Sequence, residues 1–316
     1  MRLLPHIVVA ALAAGFASQL SAQTDPCLDR VIPVNVNLER GKALTPSTAA
    51  NFQASIRGKP IRITSATYDS GPLRIVILID VSGSMMGGIR QLGLEFAQDL
   101  ISSAPPQDSL ALLTFNERIV DVIPFGQDRT AFREEVDELQ HAVGRGRTAI
   151  EDALVSALAL LKTPSVGDAI CLVSDGGENA SHTDWFRVKA RLVSSGIRLY
   201  AFAPIWHRNP NSRTTVEADG LLELRDLAAV TGGDFLQFEL GEFGVNIIGK
   251  EDFAHVRQGF YSEVFSFIKL SMRLPEPLAK PVHWNLDVVD ASGRPNRHAQ
   301  LHYPQRLAPC TPGEAH

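Results

Sequence analysis

The run Ile75–Asp80, IVILID, constrains this chain more than any other stretch. Apolar residues lead straight into a carboxylate, and two serines spaced by one residue follow in VSGSM. A short apolar run bounded by turn residues reads as a strand buried on both faces, which belongs in a parallel sheet covered by helices. Such a strand carries Asp80, Ser82 and Ser84 into a sheltered place. Polar groups left there without partners cost roughly 1–3 kcal/mol each, so the cluster must serve something. Gly83 and Gly87 are read as the residues that let the backbone bend tightly around it.

The pattern repeats. DAICLVSDG is a second buried strand, and it ends in Asp175. Around these strands helical and strand patterns alternate. GIRQLGLEFAQDLISS places Ile89, Leu92, Phe96 and Leu100 on one helical face, and DSLALLTF and RIVDVIPF are strands in close succession. RTAFREEVDELQ and AIEDALVSALALLK are helices, the second ended by Thr163-Pro164. TDWFRVKARLVSSG is a helix capped at Thr183 or Asp184 and stopped at Gly196. IRLYAFAPI and DFLQFEL are strands, separated by the helix GLLELRDLAAVTGG and followed by the helix EDFAHVRQGFYSEV. The expectation is an α/β fold over residues 73–264, a doubly wound, mainly parallel, Rossmann-like sheet. The flanks, residues 23–72 and 265–316, show short alternating strands separated by Pro and Gly, and are expected to pair into one small β module.

In doubly wound sheets the binding crevice lies beyond the carboxyl ends of the strands. Asp80 and Asp175 both end central strands there, with Ser82 and Ser84 on the following turn. Thr148, in GRGRTAIEDAL, opens a helix aimed at the same edge. Hydroxyls and carboxylates converging on one point form a hard oxygen site. It suits Mg²⁺ first, with Mn²⁺ or Ca²⁺ as alternatives, rather than zinc or copper.

DVSGS, then RTAIEDAL, then VSDG, in that order, resemble the von Willebrand factor type A domain. The resemblance implies a complete metal-ion-dependent adhesion site at Asp80, Ser82, Ser84, Thr148 and Asp175. It also implies direct contact of the ion with the serines and the threonine, the aspartates acting through water. An ion held mostly by neutral hydroxyls keeps much of its charge and attracts a carboxylate from another protein. The family usually has Gly-Gly-Thr where this chain has Arg145-Gly146-Arg147-Thr148. The two arginines are read as a solvated loop; at the rim of the site they would draw acidic partners. Over its whole length the chain is also similar to exported bacterial VWFA-related proteins, known mainly from acidobacteria. That likeness rests on the lead-in NFQASIRGKPIRITSATYDSGPLRIVILIDVSGSM and the β-rich tail.

Residues 1–22 are expected to be a signal peptide: MRLLPH supplies the charge, IVVAALAAGFA the short apolar run, and the cut follows Ala22. The mature chain is then exported, to the periplasm or outside the cell. No second long apolar run follows to anchor it in a membrane. In an oxidising compartment Cys27 and Cys310 can close a disulfide, and Cys171, inside the second apolar strand, reads as a buried thiol.

A net charge of −5 argues against nucleic acid as the main partner. No Walker loop, Gly-x-Ser-x-Gly elbow or Cys-His pair at a credible spacing appears, so a hydrolase ranks below a binding protein. The alternative is a structural subunit of an envelope assembly. In it an internal carboxylate would close the metal position, with Glu151, Asp152 and Glu178 as the suspects. His182 reads as a residue at a helix start rather than a ligand. His298 and His302 are four apart in strand-like sequence, and without a third ligand at suitable spacing zinc is not expected there. Asn179-Ala180-Ser181 matches the glycosylation triplet but is not read as modified. Phe115, Phe125, Trp185 and Phe202 sit at core-type positions.

Overall fold

A computed structural model describes residues 27–38, 42–43, 48–206, 215–241, 244–246, 253–290 and 292–310. The expected signal peptide, residues 1–22, lies outside them.

The chain begins with strands β1 (Asp29–Leu38), β2 (Lys42–Ala43), β3 (Phe52–Ile56) and β4 (Lys59–Asp69). The α/β segment follows: β5 (Arg74–Asp80), α1 (Gly87–Ser103), β6 (Ser109–Phe115), β7 (Ile119–Ile123), α2 (Arg129–His141) and α3 (Ile150–Leu161). It continues with β8 (Ala169–Val173), α4 (Trp185–Ser195), β9 (Arg198–Trp206), α5 (Thr215–Thr231), β10 (Phe235–Gly241), β11 (Gly244–Asn246) and α6 (Phe253–Phe265). The last strands are β12 (Phe267–Arg273), β13 (Val282–Val288), β14 (Ala299–His302) and β15 (Arg306–Leu307).

The α/β segment forms a seven-stranded sheet of order β11-β10-β9-β8-β5-β6-β7. The inner strands β10, β9, β8, β5 and β6 run parallel, and β7 and β11 close the two edges antiparallel. Helices cover both faces because both faces of the inner strands are apolar. On one, Ile75, Ile77 and Ile79 of β5 pack with Ile89, Leu92, Phe96 and Leu100 of α1, Phe132 of α2 and Phe260 of α6. On the other, Val76 and Leu78 pack with Leu154 of α3, Leu192 of α4 and Leu224 of α5. The fold is the doubly wound α/β class. Phe115 and Phe202 are fully buried, while Phe125 and Trp185 are half-buried against the second face. Asp184 caps α4, and Gly196 ends it in the left-handed conformation.

Strands from the two ends of the chain share one sheet of order β14-β1-β12-β4-β3-β13-β15, with β2 paired to β1. Every one of these pairings is antiparallel. Its core includes Val34, Phe52, Leu270, Trp284 and Leu286. The Cys27–Cys310 disulfide links the two ends, and Cys171 is a buried free thiol whose pKa burial pushes up to about 12. This sheet abuts the end of the α/β domain where the parallel strands begin. Arg198, the first residue of β9, is fully buried there and donates to the carbonyls of Gly167, Glu263 and Val264 at 2.7, 2.9 and 3.0 Å. Asn35 of β1 donates to the Ser266 carbonyl at 2.8 Å. Among the described residues no helix is long and apolar enough to cross a membrane.

Candidate metal centre

Strand order reverses at β5. The chain runs outward from β5 to β6 and β7, then returns to place β8 on the other side of β5. At such a switch point the loops leaving neighbouring strands turn apart and open a crevice. Asp80 ends β5, and Asp175 lies two residues beyond β8, so both carboxylates enter that crevice. Both are buried.

The loop after β5 folds around Asp80. Its Oδ1 accepts the Ser82 amide at 2.9 Å, and its Oδ2 accepts the Ser174 hydroxyl at 2.7 Å. The Ser82 and Ser84 hydroxyls are 3.1 Å apart. The Asp175 Oδ1 accepts the Gly177 amide at 3.2 Å. Gly177 leaves open the space between the two loops: a Cβ there would stand 3.3 Å from Asp175 Oδ1 and 3.9 Å from Ser84 Oγ. Thr148 is buried beside them on a loop tied to both neighbours. The Gly83 amide donates to the Gly146 carbonyl at 3.1 Å, the Arg145 amide to the Val81 carbonyl at 3.2 Å, and the Thr148 amide to Asn179 Oδ1 at 3.0 Å. The structure therefore brings Asp80, Ser82, Ser84 and Asp175 near one another and ties the backbone of the Thr148 loop to the loops on either side. The tight bend is at Gly87, with φ of 57°, and not at Gly83, which has an ordinary φ and contributes its amide instead.

The electrostatics fit a cation. Burial first, and then the charge of Asp175, push the Asp80 carboxyl up to about 7. Two carboxylates crowded together away from water favour a proton or a cation between them, and the buried Arg90 guanidinium already feels the Asp80 charge. The donors are all oxygen, which suits a hard divalent ion.

Glu151, Asp152 and Glu178 have other work. Glu178 Oε2 accepts the Ile150 and Glu151 amides at 2.5 and 3.3 Å, capping the start of α3, and Oε1 accepts the Ala180 and Ser181 amides at 2.9 Å each. Asp152 accepts the His182 and Thr183 amides at 2.9 and 3.0 Å; against the effect of burial, those bonds hold its carboxyl at about 2. Glu151 is buried, and burial together with the neighbouring Glu178 charge raises its carboxyl well above the ordinary range. His182 is exposed at the start of α4 and bonds to Asp152 at 3.2 Å. Asn179 spends its side-chain oxygen on Thr148.

Sequence reasoning missed Ser174 and Asn179, which position Asp80 and Thr148. Ser174 had a signal, since it stands in the same VSDG run as Asp175. It also missed Gly220 in α5. A Cβ there would overlap the carbonyl oxygen of Gly176, so the helix lies directly on the loop that carries Asp175.

Residues 75–178 match the family model of the von Willebrand factor type A domain. Several solved structures are similar in fold. One is the conserved hypothetical protein BatB from Bacteroides thetaiotaomicron, 14% identical over 61% of this chain and 97% of that one, with a TM-score of 0.44. Another is a von Willebrand factor type A protein from Catenulispora acidiphila, 15% identical over 84% and 75%, with a TM-score of 0.44. A third is proximal thread matrix protein 1 from the mussel byssus, with a zinc-occupied MIDAS motif, 17% identical over 66% and 50%, with a TM-score of 0.48. No curated protein matches the chain.

Two outcomes follow from this geometry. Gly220→Ala gains about 1 kcal/mol of helix propensity, yet overpacking against Gly176 costs typically about 1–3 kcal/mol. The contact is expected to win, so the variant should melt lower and, by displacing the Asp175 loop, bind divalent ions more weakly; an unchanged melting temperature would show that the helix does not press on the loop. Glu151 has a folded pKa above its ordinary 4.5, so it holds a proton that the unfolded chain releases. Its stabilising contribution is complete below about 4.5 and fades as pH rises through the raised value. Glu151→Gln should flatten the fall of urea stability across that range.

Proposed function

We propose that this chain is a protein-binding module that uses a divalent cation, held by Asp80, Ser82, Ser84, Thr148 and Asp175, to capture a carboxylate of another protein. The observation that carries this reading is the convergence of the Ser82 and Ser84 hydroxyls with Asp80 and Asp175 at the switch point of the sheet. Mg²⁺ is the first choice by donor chemistry, with Mn²⁺ and Ca²⁺ able to substitute. The type A domain match supports a role in protein–protein contact, and the zinc-occupied motif of the mussel protein supports a divalent ion at this position.

The surroundings favour an open position over a closed one. Glu151, Asp152 and Glu178 are engaged around α3, so the internal carboxylates that would seal a purely structural site are spent. The side chains of Arg145 and Arg147 are exposed on the loop that touches the metal loop, where they would draw in an acidic partner. Met86 and Val143, 59% and 74% exposed, stand on the same two loops. The partner segment is then an acidic residue flanked by apolar ones. The role is non-enzymatic: the serine hydroxyls act as ligands and not as nucleophiles. The chain works after export, in a compartment oxidising enough to keep Cys27 and Cys310 joined.

Calorimetry with Mg²⁺, Mn²⁺ and Ca²⁺ tests the site, alone and then with an acidic peptide added. The unaltered protein should bind an ion, and the peptide should bind only with the ion present. Ser82→Ala with Ser84→Ala should lose both while keeping its melting transition, because these small polar residues add little to the core. Equal ion affinity in the double variant would remove the assignment.

A further inference from the structure

The α/β domain meets the β module at a second cluster of ligand-type side chains. Asp234 lies just before β10, Glu263 in the last turns of α6, and His302 at the end of β14. Each brings a ligand atom within 4.8 Å of the others. His302 Nδ1 and Glu263 Oε2 are 2.7 Å apart, and His302 Nε2 faces Asp234 Oδ1 at 4.0 Å.

The cluster is held from behind. Glu263 is buried, and its second carboxylate oxygen accepts the Asn37 side-chain amide. Its backbone carbonyl accepts from Arg198, Tyr200 and Asn35 at 2.9, 2.9 and 3.2 Å, which fixes this turn of α6. Asp234 is fixed by Gly232 and Gly233. A Cβ at Gly232 would press on Pro304 and Tyr303, and one at Gly233 would overlap the Leu199 carbonyl, so the loop carrying Asp234 is packed tightly against β9 and the tail. In front, a cavity of about 240 Å³ opens, lined by Arg225, Gly233, Asp234, Leu301, His302 and Gln305. It has room for water beside the cluster, since a liquid water occupies about 30 Å³.

We propose that Asp234, Glu263 and His302 form a second metal site, of the zinc class, that clasps the α/β domain to the β module. One imidazole and two carboxylates are an N,O,O donor set that suits Zn²⁺ far better than Mg²⁺. Three protein ligands leave a position for water on the cavity side, the pattern of an open rather than a closed zinc site. One ion takes one ring nitrogen of His302, and rotation of the His302 or Asp234 side chain, with the Asp234 backbone held in place, would bring both carboxylates to it. The site is separate in chemistry and place from the oxygen-only centre, which lies at the other end of the parallel sheet.

The test uses the full mature chain carrying Ser82→Ala and Ser84→Ala, which removes the hydroxyls of the first proposed centre, and compares every further variant against that background. Zn²⁺ is titrated by calorimetry, and Co²⁺ by its visible absorption. One equivalent of Zn²⁺ at micromolar or tighter affinity, with a higher melting temperature and a nitrogen-ligated Co²⁺ spectrum, is expected. His302→Gln should weaken binding by about 100-fold or more, beyond what loss of a supporting partner does. Should that variant fail to fold, Asp234→Asn leaves the His302–Glu263 pair in place and must weaken Zn²⁺ as well. Absence of saturable binding below millimolar Zn²⁺, or equal affinity in the variants, would overturn the proposal and leave a histidine held between two carboxylates. Neither result depends on what the first centre binds.

Discussion

Everything at the proposed binding end depends on two carboxylates that the sheet forces together. β5 and β8 are neighbours at the place where strand order reverses, and each delivers an aspartate beyond its last apolar residue. Asp80 is buried, its oxygens taken by the Ser82 amide and the Ser174 hydroxyl, and Asp175 stands close enough to raise its pKa. A fold that gathers like charges out of water favours a proton or a cation there, beside the Arg90 guanidinium that already feels Asp80. The loops are arranged around that need: Ser82 and Ser84 offer hydroxyls, the Thr148 loop is laced to both sides, and α5 presses on the Asp175 loop through Gly220.

The β module meets the α/β domain at the opposite end, where the parallel strands begin. Its junction with the α/β domain is polar as well as packed. Arg198 is fully buried there, bonded to backbone carbonyls and set against the rings of Tyr200 and Phe267 at 5.3 and 4.8 Å. A buried guanidinium with fixed acceptors tolerates few alternative arrangements, so the junction is specified by geometry as much as by apolar area. That end holds the two units in register.

Much of this was legible from the sequence. The strands around Ile75–Ile79 and Ile170–Val173 are apolar on both faces and read as parts of a covered parallel sheet, and the positions of Asp80 and Asp175 in that sheet follow from where the apolar runs stop. The glycine stop at Gly196 was a readable local signal, and so was a cap at Thr183 or Asp184, which the structure resolves to Asp184. What could not be read is what depends on distant chain. His302 has no ligand partner at any useful sequence spacing, and finds Glu263 only because β14 pairs with β1 beside α6. Gly220 looks like a weak spot in a helix until the backbone of Gly176 is seen against it. Glu151, Asp152 and Glu178 looked available from their proximity in sequence, and only the folded chain reveals Asp152 and Glu178 bonded to backbone amides and Glu151 packed against Glu178 and Ser181.

The most direct measurement is anomalous diffraction from crystals of the mature chain soaked in Mn²⁺. A peak is expected in the crevice between β5 and β8, about 2 Å from the Ser82 and Ser84 hydroxyls, with an open coordination position facing solvent. Full ion occupancy elsewhere with none in that crevice, or a peak whose outward position is filled by a carboxylate of this same chain, would contradict it.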